Sequence, residues 1–493
     1  MLTQAEVKKP ADWNHLKLTY NQKKLNLYSH PDLEVTQIQK PDRFLVLIGY
    51  VIDPFQPELS NEEILNGLIS SDNLDDLFVK VEFLSGRFVF LYHNSQGAYL
   101  FHDATGLREV FYSFQKDVIY AGSTPDIINA HAQTGMEEDH SLMEFFHSPA
   151  YKSSGFWVGN RTPFKNVFHL QPNFYLDLDK KSIHRYWPVQ ERVETDIDAA
   201  VDLMAQLLKG TITGAANRYQ LHQGLTAGFE SRLLLAASKD VKNKVKYLVN
   251  NVNRMSNQAD TRIPWQIAGE HQIDFEVVDL SEVVVDEGFR NIFFKNNVYA
   301  RENHLKVFYD AYQKNYDNTF WVTGTFGNQI LRIYTPIKKE NITSTDIARL
   351  FNYGDYRYAM ESIEQWMDEA GELYSRFGYN LVNMFYWEQY TPNMQNLGAS
   401  EGDIVREEMR PLNCRKLIST YISLQDKYRY KNFPVGYVRI IETLWKELMQ
   451  IPLAAYTNSP RYWMRKITRF LGLELIIYNM YSKASTTLKY RRA

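Results

Sequence analysis

The sequence predicts an α+β region followed by an α/β region, and three features of the chain support this division. Up to about residue 188, short apolar or alternating runs are separated by turn signals such as NSQG, which is typical of antiparallel strands. From about residue 197, strand-like and helix-like segments alternate, which indicates a parallel sheet with helices on its faces. After about residue 345 the chain looks helical and is rich in aromatic residues.

In the first region, the longest apolar run is FLVLIGYVI at residues 44–52, which suits a buried strand and is too short to cross a bilayer. A helix is predicted after Ser60, because Glu63 lies three residues further on, at the spacing of a capping box. RFVFLYHN and AYLFHDA predict a hairpin around NSQG. VFYSFQKDVIYAGS and NFYLDLDKKSIHRYW predict two more strand–turn–strand units.

The second region begins with VETDIDAAVDLMAQLLKGTI, whose apolar residues recur at helical spacing. We therefore divide the chain into regions 1–190 and 191–493. VKYLVNNV, DFEVVDL and TFWVTGT predict strands, and ADTRIPWQIAGEH predicts a helix between the first two. We find no internal repeat and no low-complexity linker in the sequence.

Composition and charge exclude several classes of protein. With 44% hydrophobic and 23% charged residues, the chain is typical of a globular protein. A net charge of −3 argues against a broad nucleic-acid surface. The single cysteine, Cys414, excludes an internal disulfide and a multi-cysteine metal site, and it fits a reducing cytoplasm.

The N-terminal stretch lacks a signal-peptide pattern, and the C-terminal stretch is basic. The stretch MLTQAEVKKPADW has no apolar core of signal-peptide length, so we expect a cytoplasmic protein without a transmembrane segment. The basic stretch KASTTLKYRRA is expected to be solvated, with a weak contact to a partner or a membrane surface as the alternative. Its charges are Lys483, Lys489, Arg491 and Arg492.

The stretch LTAGFESRLLLAAS at residues 225–238 predicts a tight turn that leads from a strand into a helix. In open parallel sheets, ligands bind at the carboxyl ends of strands, and a helix N-terminus there favours an anion. Glu230 would repel a phosphate unless a divalent cation lay between them, which makes it a candidate Mg²⁺ ligand. An ordinary small-residue turn is the alternative. Residues that could admit or contact a phosphate are Gly224, Thr226, Ala227, Gly228 and Ser231.

LTAGFESR resembles the SGGxDS pyrophosphate-binding loop of the asparagine synthetase family. KYLVNNV is similar to the strand of that family that lines the adenine pocket, and VTGTFGNQI is similar to its SGEGxDE loop. EEMRPLNCRKLI resembles a later segment of the family, where Glu407 and Pro411 match. The resemblance implies ATP and Mg²⁺ as cofactors. It assigns ATP binding to Leu225, Thr226, Ala227, Gly228, Phe229, Glu230, Ser231, Val249, Thr323 and Gly324, and metal binding to Glu230 and Asn328.

The first region is similar to the glutaminase domain of the same family, with Gly86, Asp103, Gly106 and Arg108 at recurrent positions. The resemblance therefore covers almost the whole chain. It implies an α+β, glutaminase-like N-terminal domain, an Ntn-type β-sandwich, over residues 1–190. It also implies an α/β PP-loop ATP pyrophosphatase domain with a helical C-terminal part over residues 191–493.

The sequence departs from the family at the glutaminase nucleophile. The family uses an N-terminal cysteine whose own α-amine acts as the base, whereas position 2 here is Leu2. Because Cys414 lies in the other region, glutamine hydrolysis by the family mechanism is excluded. We expect the first region to be a structural or recognition module.

The synthetase half also departs from the family. In the SGEGxDE-like loop, the acidic residue, the second glycine, the metal-binding aspartate and the final glutamate become Thr325, Phe326, Asn328 and Gln329. The family's catalytic lysine has no counterpart, since Tyr437 or Val438 falls at its place. Arg439 could supply that cation and Glu388 could face the acceptor, and these two are the predicted catalytic residues.

Two further side chains have open assignments. Asp260 opens a helix, so a helix cap and a nucleotide contact are both possible. Arg232 follows the turn and could contact a phosphate or form a structural ion pair.

Two functional hypotheses follow from the resemblance. The first is an ATP- and Mg²⁺-dependent ligase that forms an amide through an acyl-adenylate, in surface-polysaccharide or specialised-metabolite biosynthesis. Its substrate would be a small molecule, glycan or peptide with a carboxylate and an amine. Neither a nucleic-acid partner nor a membrane span is expected, and a homodimer is allowed. The second is an inactive scaffold or nucleotide-sensing protein, because the changes at Thr325, Asn328 and the lysine position form a consistent pattern of loss.

Overall fold

The computed structural model describes residues 1–116, 118–251, 258–315, 318–331, 342–430, 434–451 and 453. The basic stretch that holds Lys483, Lys489, Arg491 and Arg492 lies outside the described residues.

The strands are β1 Leu2–Thr3, β2 Asn14–Tyr20, β3 Lys23–Ser29, β4 Val35–Lys40, β5 Arg43–Ile52, β6 Ser85–Asn94, β7 Gly97–His102, β8 Phe111–Gln115, β9 Val118–Gly122, β10 Phe168–His169, β11 Phe174–Asp177, β12 Ser182–Arg185, β13 Gln220–Gly224, β14 Val245–Asn251, β15 Phe275–Asp279, β16 Thr319–Val322 and β17 Glu407–Met409. The α-helices are α1 Asn61–Leu68, α2 Leu74–Val81, α3 Pro125–Ala132, α4 His140–His147, α5 Pro149–Ser154, α6 Ile197–Arg218, α7 Phe229–Ala237, α8 Gln258–His271, α9 Glu287–Asn296, α10 Leu305–Lys314, α11 Ser344–Leu350, α12 Arg357–Trp366, α13 Glu372–Arg376, α14 Leu381–Phe385, α15 Leu397–Glu401, α16 Arg415–Ile422 and α17 Val435–Trp445.

The first region is built from two antiparallel sheets of six strands each. Their orders are β10-β8-β9-β1-β3-β2 and β12-β11-β7-β6-β5-β4. Apolar side chains from both sheets, such as Leu27 and Leu91, form one buried cluster between them. The predicted hairpin around NSQG is confirmed, since Asn94 pairs with Gly97 between β6 and β7. The two-sheet sandwich therefore follows from alternating strands whose inner faces exclude water.

Helices cover the outer face of the second sheet. Ile64 and Leu77 of α1 and α2 join Leu47 and Phe101 of the sheet in a separate buried cluster. The predicted cap of α1 is confirmed: Ser60 accepts the N–H of Glu63, and the Glu63 carboxylate accepts the N–H of Ser60. This reciprocal pair satisfies N–H groups that have no partner within the helix.

The second region contains a five-stranded sheet in which every pair of neighbouring strands is parallel. Its order is β15-β14-β13-β16-β17, so the chain moves outwards from β13 in one direction and then returns to its other side. The three strands predicted from VKYLVNNV, DFEVVDL and TFWVTGT are confirmed as β14, β15 and β16. β17 was not predicted, because its three residues, two of them glutamates, carry no strand pattern.

Both faces of the parallel sheet are covered. On one face, Leu221 and Tyr247 pack with residues of α6, α7 and α17 in the largest buried cluster. On the other face, Leu248 and Trp321 pack against Val307 of α10. Apolar side chains therefore lie on both faces of the sheet, as expected for a parallel sheet between helical layers.

The two regions share one core. The largest cluster includes Tyr50 and Phe111 from the first region together with Ile212 and Leu412 from the second. Helix α6 lies close to the first region, because a Cβ on Gly210 would stand 1.8 Å from the carbonyl oxygen of Pro54. The predicted boundary at 190/191 falls between β12 and α6 and stays a prediction. No helix in the described ranges is long and apolar enough to cross a membrane.

Candidate functional site

Two loops meet where the strand order of the parallel sheet reverses. One follows β13 and holds residues 225–228, and the other follows β16 and holds residues 323–326. Because β13 and β16 are neighbours, their carboxyl ends lie side by side. A Cβ on Gly324 would stand 2.7 Å from the Cβ of Glu230, so the second loop lies against the first turn of α7, which directly follows the first loop. This position is where open α/β sheets bind ligands.

The half-buried Glu230 lies between the two loops. A Cβ on Gly327 would stand 3.4 Å from its Cγ, and a Cβ on Gly228 would stand 3.9 Å from its Oε2. Helix α7 begins at Phe229 with Gly228 as its cap and no side-chain cap bond. A carboxylate at this point, beside backbone N–H groups, suits a cation that bridges it to a phosphate.

The loop after β13 is closed by its own hydroxyl groups. The N–H of Thr226 donates to Ser231 Oγ at 3.1 Å, and the N–H of Gly228 donates to Thr226 Oγ1 at 3.4 Å. The hydroxyl of Ser231 also donates to the carbonyl of Thr226 at 3.0 Å. Thr226 and Ser231 were predicted as phosphate contacts, and in this structure they hold the turn itself.

Asp260 contacts the same loop from a distant point in the sequence. Its Oδ1 accepts the N–H of Ala227 at 2.9 Å, although it lies in the first turn of α8, 33 residues further along the chain. Of the two assignments left open for Asp260, this contact favours a place at the candidate nucleotide site.

Val249 lies beside the entrance to the loop. The N–H of Leu225 donates to the carbonyl of Leu248 at 2.8 Å, which ties the loop to β14. Gly224 is aligned with Leu248, so Val249 lies one residue beyond the end of β13. The structure thus brings the predicted adenine-lining residue next to the predicted phosphate loop.

In the loop after β16, Phe326 has a left-handed backbone conformation, which is more typical of glycine. Phe326 has a φ of 64° and is fully buried. A left-handed conformation for an aromatic residue costs about 1–3 kcal/mol and persists only where the surroundings impose it. The resemblance expects glycine here, and Phe326 adopts a conformation that glycine would adopt without strain.

A carboxylate that the sequence analysis missed also reaches this loop. The hydroxyl of Thr323 bonds Thr325 Oγ1 at 2.9 Å and donates to Glu408 Oε1 at 3.4 Å. Glu408 also pairs with Arg410 at 2.7 Å. Its adjacency to Glu407, which the resemblance had matched, was the only signal in the sequence. Asn328 and Gln329 lie in or beside this segment, but their side chains are outside the described residues.

The candidate cations do not face the loops. Arg232 is fully buried and donates to the carbonyls of Leu448 and Ile451, while burial lowers its pKa to about 10. Arg439 pairs with Asp198 of α6 on the surface. Tyr437, one of the two residues predicted at the place of the family's lysine, donates its hydroxyl to the carbonyl of Gly327 at 2.8 Å. Tyr437 thus places a neutral hydroxyl group, and no cation, beside the second loop.

Glu388 lies at the contact between the two regions. Its carboxylate is fully buried and pairs with Arg185 of β12. It also accepts from Asn173 at 2.8 Å, from Trp366 at 2.9 Å and from the Tyr374 hydroxyl. These partners give Glu388 a structural role, and its predicted role in facing an acceptor stays a prediction without a supporting contact.

The positions that match the glutaminase domain also join the two regions. Asp103 accepts the N–H groups of Leu107 and Arg108 at 2.8 and 2.9 Å, and the amide of Asn413 at 2.8 Å. Arg108 pairs with Glu407 at 2.6 Å. Gly86 has a φ of 140°, and a Cβ there would stand 2.4 Å from the carbonyl oxygen of Tyr50.

The position that resembles the glutaminase nucleophile belongs to the apolar core. Leu2 is 3% exposed and pairs with Leu27 and Ala121 inside the first sheet. Cys414 is buried, which raises the pKa of its thiol to about 12 and keeps it protonated. Among the described residues, no group of three or more His, Cys, Asp or Glu side chains is placed to hold a metal ion. A Mg²⁺ ion shared between Glu230 and phosphate oxygens needs no such group.

Comparisons with known proteins give limited matches. No protein-family model matches the sequence, and no curated protein matches it. The chain is similar to the glutamine-dependent NAD⁺ synthetase of Acinetobacter baumannii at 10% identity and a TM-score of 0.20, over 38% of this chain and 42% of that one. It is similar to the NH3-dependent NAD synthetase of Campylobacter jejuni at 13% identity and a TM-score of 0.23, over 42% and 96% of the two chains.

A third structure is the glutamine phosphoribosylpyrophosphate amidotransferase of B. subtilis, at 10% identity and a TM-score of 0.22, over 69% of this chain and 78% of that one. The chain spans less than half the length of the Acinetobacter enzyme. Scores at this level carry no argument about the function of this chain.

Proposed function

We propose that this protein is an ATP- and Mg²⁺-dependent ligase that joins a carboxylate to an amine through an acyl-adenylate, without hydrolysing glutamine. The observation that carries the proposal is the meeting of the two loops around Glu230 at the point where the strand order reverses. These loops were singled out independently by their resemblance to two parts of one nucleotide site.

The proposed reaction has two steps. A substrate carboxylate attacks the α-phosphorus of ATP, and the bond to the bridging oxygen breaks to release pyrophosphate. An amine then attacks the acyl carbon, loses a proton and expels AMP. The loop at residues 225–228 and the start of α7 would hold the pyrophosphate, and Glu230 would hold Mg²⁺. The backbone at Val249 would line the base, and Thr323 and Gly324 would complete the nucleotide contacts.

The amine is proposed to be free ammonia or an amine on the substrate itself. Leu2 is packed in the core, so the first region offers no thiol at the position where the family places its nucleophile. The resemblance supports a small-molecule, glycan or peptide substrate from surface-polysaccharide or specialised-metabolite biosynthesis. A cytoplasmic location and a homodimer belong to the same proposal.

The alternative is an inactive scaffold or a nucleotide-sensing protein, neither of which catalyses a reaction. The contacts of the two candidate arginines favour this alternative, because neither is directed at the loops. Arg232 donates to backbone carbonyls, and Arg439 pairs with Asp198. Tyr437 or Val438 falls at the place of the family's lysine, and the Tyr437 hydroxyl donates to the carbonyl of Gly327. A nucleotide-sensing protein would bind Mg²⁺-ATP and release neither AMP nor pyrophosphate, whereas an inactive scaffold would not bind it.

Calorimetry with a non-hydrolysable ATP analogue, with and without Mg²⁺, tests the site. We expect Mg²⁺-dependent binding that Glu230→Ala abolishes and that Glu270→Ala, on the exposed surface of α8, leaves unchanged. Absence of binding in the folded parent protein would overturn the ligase and nucleotide-sensing proposals together. Where binding is found, release of AMP and pyrophosphate with candidate acceptors would identify a ligase, and absence of release would identify a nucleotide-sensing protein.

A further inference from the structure

We propose that the carboxylate of Asp260 competes with phosphate for the loop after β13, so that a bound anion must displace it. This inference rests on the proposed function, because it concerns the regulation of the same site. It makes Asp260 a residue that sets which anions the loop accepts.

Every backbone N–H from Leu225 to Gly228 has an acceptor within the protein. Leu225 donates to a strand carbonyl, and Thr226 and Gly228 donate to hydroxyl oxygens of the turn. Ala227 alone donates to a carboxylate, that of Asp260 at 2.9 Å. A phosphate that takes the N–H of Ala227 must therefore replace an oxygen of the same charge type.

The acceptor groups differ in how readily an incoming phosphate can displace them. The hydroxyls of Thr226 and Ser231 can rotate and donate to an incoming phosphate, since a hydroxyl is both donor and acceptor. The Asp260 carboxylate only accepts, and it repels a phosphate at contact distance. Its hydrogen bond from Ala227 is charge-assisted and is stronger than a neutral one. Among the groups that accept an N–H of residues 225–228, Asp260 is therefore the main obstacle to a free anion, and Glu230 adds a second negative charge beside the loop.

A divalent cation offsets the repulsion between the carboxylates and a phosphate. Mg²⁺ is attracted by carboxylates and binds phosphate oxygens at the same time. Asp260 from α8 and Glu230 from α7 both lie against the loop, so the protein places two negative side chains beside one phosphate-sized turn. This arrangement favours Mg²⁺-bound phosphate over the free anion.

The test is calorimetry with inorganic pyrophosphate in the absence of a divalent metal. Asp260→Asn keeps a side-chain oxygen for the N–H of Ala227 and removes the charge. We expect it to bind pyrophosphate about tenfold more tightly than the parent protein, because a like charge at contact distance is gone. Asp274→Asn is the control: it removes an exposed carboxylate before β15, and we expect the affinity to change less than about twofold.

The outcomes separate this inference from the proposed function. If the parent binds pyrophosphate or Mg²⁺-ATP and Asp260→Asn binds pyrophosphate no better, Asp260 only shapes the loop, and the competition is overturned while the nucleotide site stands. An equal gain in Asp274→Asn would overturn it as well, because the effect would then be that of net charge. If neither the parent nor Asp260→Asn binds pyrophosphate or Mg²⁺-ATP, both proposals fail.

Discussion

The contact between the two regions and the candidate nucleotide loops are built from different interactions. At the contact, buried arginines pair with carboxylates that are less buried: Arg87 pairs with Asp403 and Glu407 at 2.5 and 2.7 Å, and Arg108 pairs with Glu407 at 2.6 Å. Burial alone would raise the pKa of Glu407, and the guanidinium groups of Arg108 and Arg87 hold it below its ordinary value. The loops are closed by hydroxyl groups and by one half-buried carboxylate.

The ion pairs between the two regions cannot be exchanged without loss of stability, whereas the hydrogen bonds that close the loops can be exchanged for bonds to a ligand. Removing one partner of a buried pair leaves a charge that water cannot reach, which is strongly destabilising. Replacing a hydroxyl acceptor at the loop with a phosphate oxygen leaves no group unsatisfied. We therefore expect substitutions at the contact to act on stability, and substitutions at the loops to act mainly on ligand binding.

The largest effect is expected at Glu388. Glu388→Gln leaves the half-buried Arg185 without its counter-charge, and we expect it to lower the free energy of unfolding by about 3 kcal/mol. Glu361→Gln is the control, because its pair with Arg357 is solvent-exposed and should change stability by less than about 1 kcal/mol. Urea unfolding measures both. Unchanged stability with loss of AMP release would move Glu388 from the contact to catalysis.

The second-largest effect is expected in the pH dependence of stability, because His169 is buried at the contact between the two regions. Burial lowers the pKa of His169 to about 3, below an unfolded value of about 6.5. The unfolded chain therefore binds more protons between these values, so stability is lost as the pH falls from 6.5 towards 3, by up to about 1.4 kcal/mol per unit. His169→Gln should flatten this slope, and exposed His30→Gln should not. Equal slopes in the parent and His169→Gln would show that His169 is hydrated.

An intermediate effect is expected where the two loops touch. A Cβ on Gly324 would stand 2.7 Å from that of Glu230, so Gly324→Ala should cost about 1–3 kcal/mol of stability and weaken nucleotide binding. Gly269 in α8 has open space around its missing Cβ, and Gly269→Ala should stabilise by up to about 1 kcal/mol. Thermal unfolding and calorimetry test the pair. Normal nucleotide binding by Gly324→Ala would place the ligand elsewhere.

The smallest effect is expected at Arg439. Its ion pair with Asp198 is exposed, so Arg439→Ala should change stability by less than about 1 kcal/mol. Because Arg439 points to α6, we also expect no change in nucleotide affinity. A large loss of AMP release with unchanged affinity would restore its predicted catalytic role and break the division between the two regions.

The strand and helix pattern of the sequence predicted much of the architecture. Alternating residues indicated the antiparallel sheets, and the change to alternating strands and helices near residue 197 indicated the parallel sheet. β17 was missed because its residues Glu407–Met409 are held by their neighbour β16 and by ion pairs, which no local pattern encodes.

At the candidate site, both loops could be predicted from the sequence, because small residues and hydroxyls follow a strand in each of them and Glu230 lies in the helix after the first. The groups that surround the loops could not be predicted in the same way. Asp260 binds Ala227 from 33 residues away, and Arg439 turns to Asp198 rather than to the loops. Turn formation depends on neighbouring residues, which the sequence contains directly. The direction of a long charged side chain depends on partners that only the packed chain brings within reach.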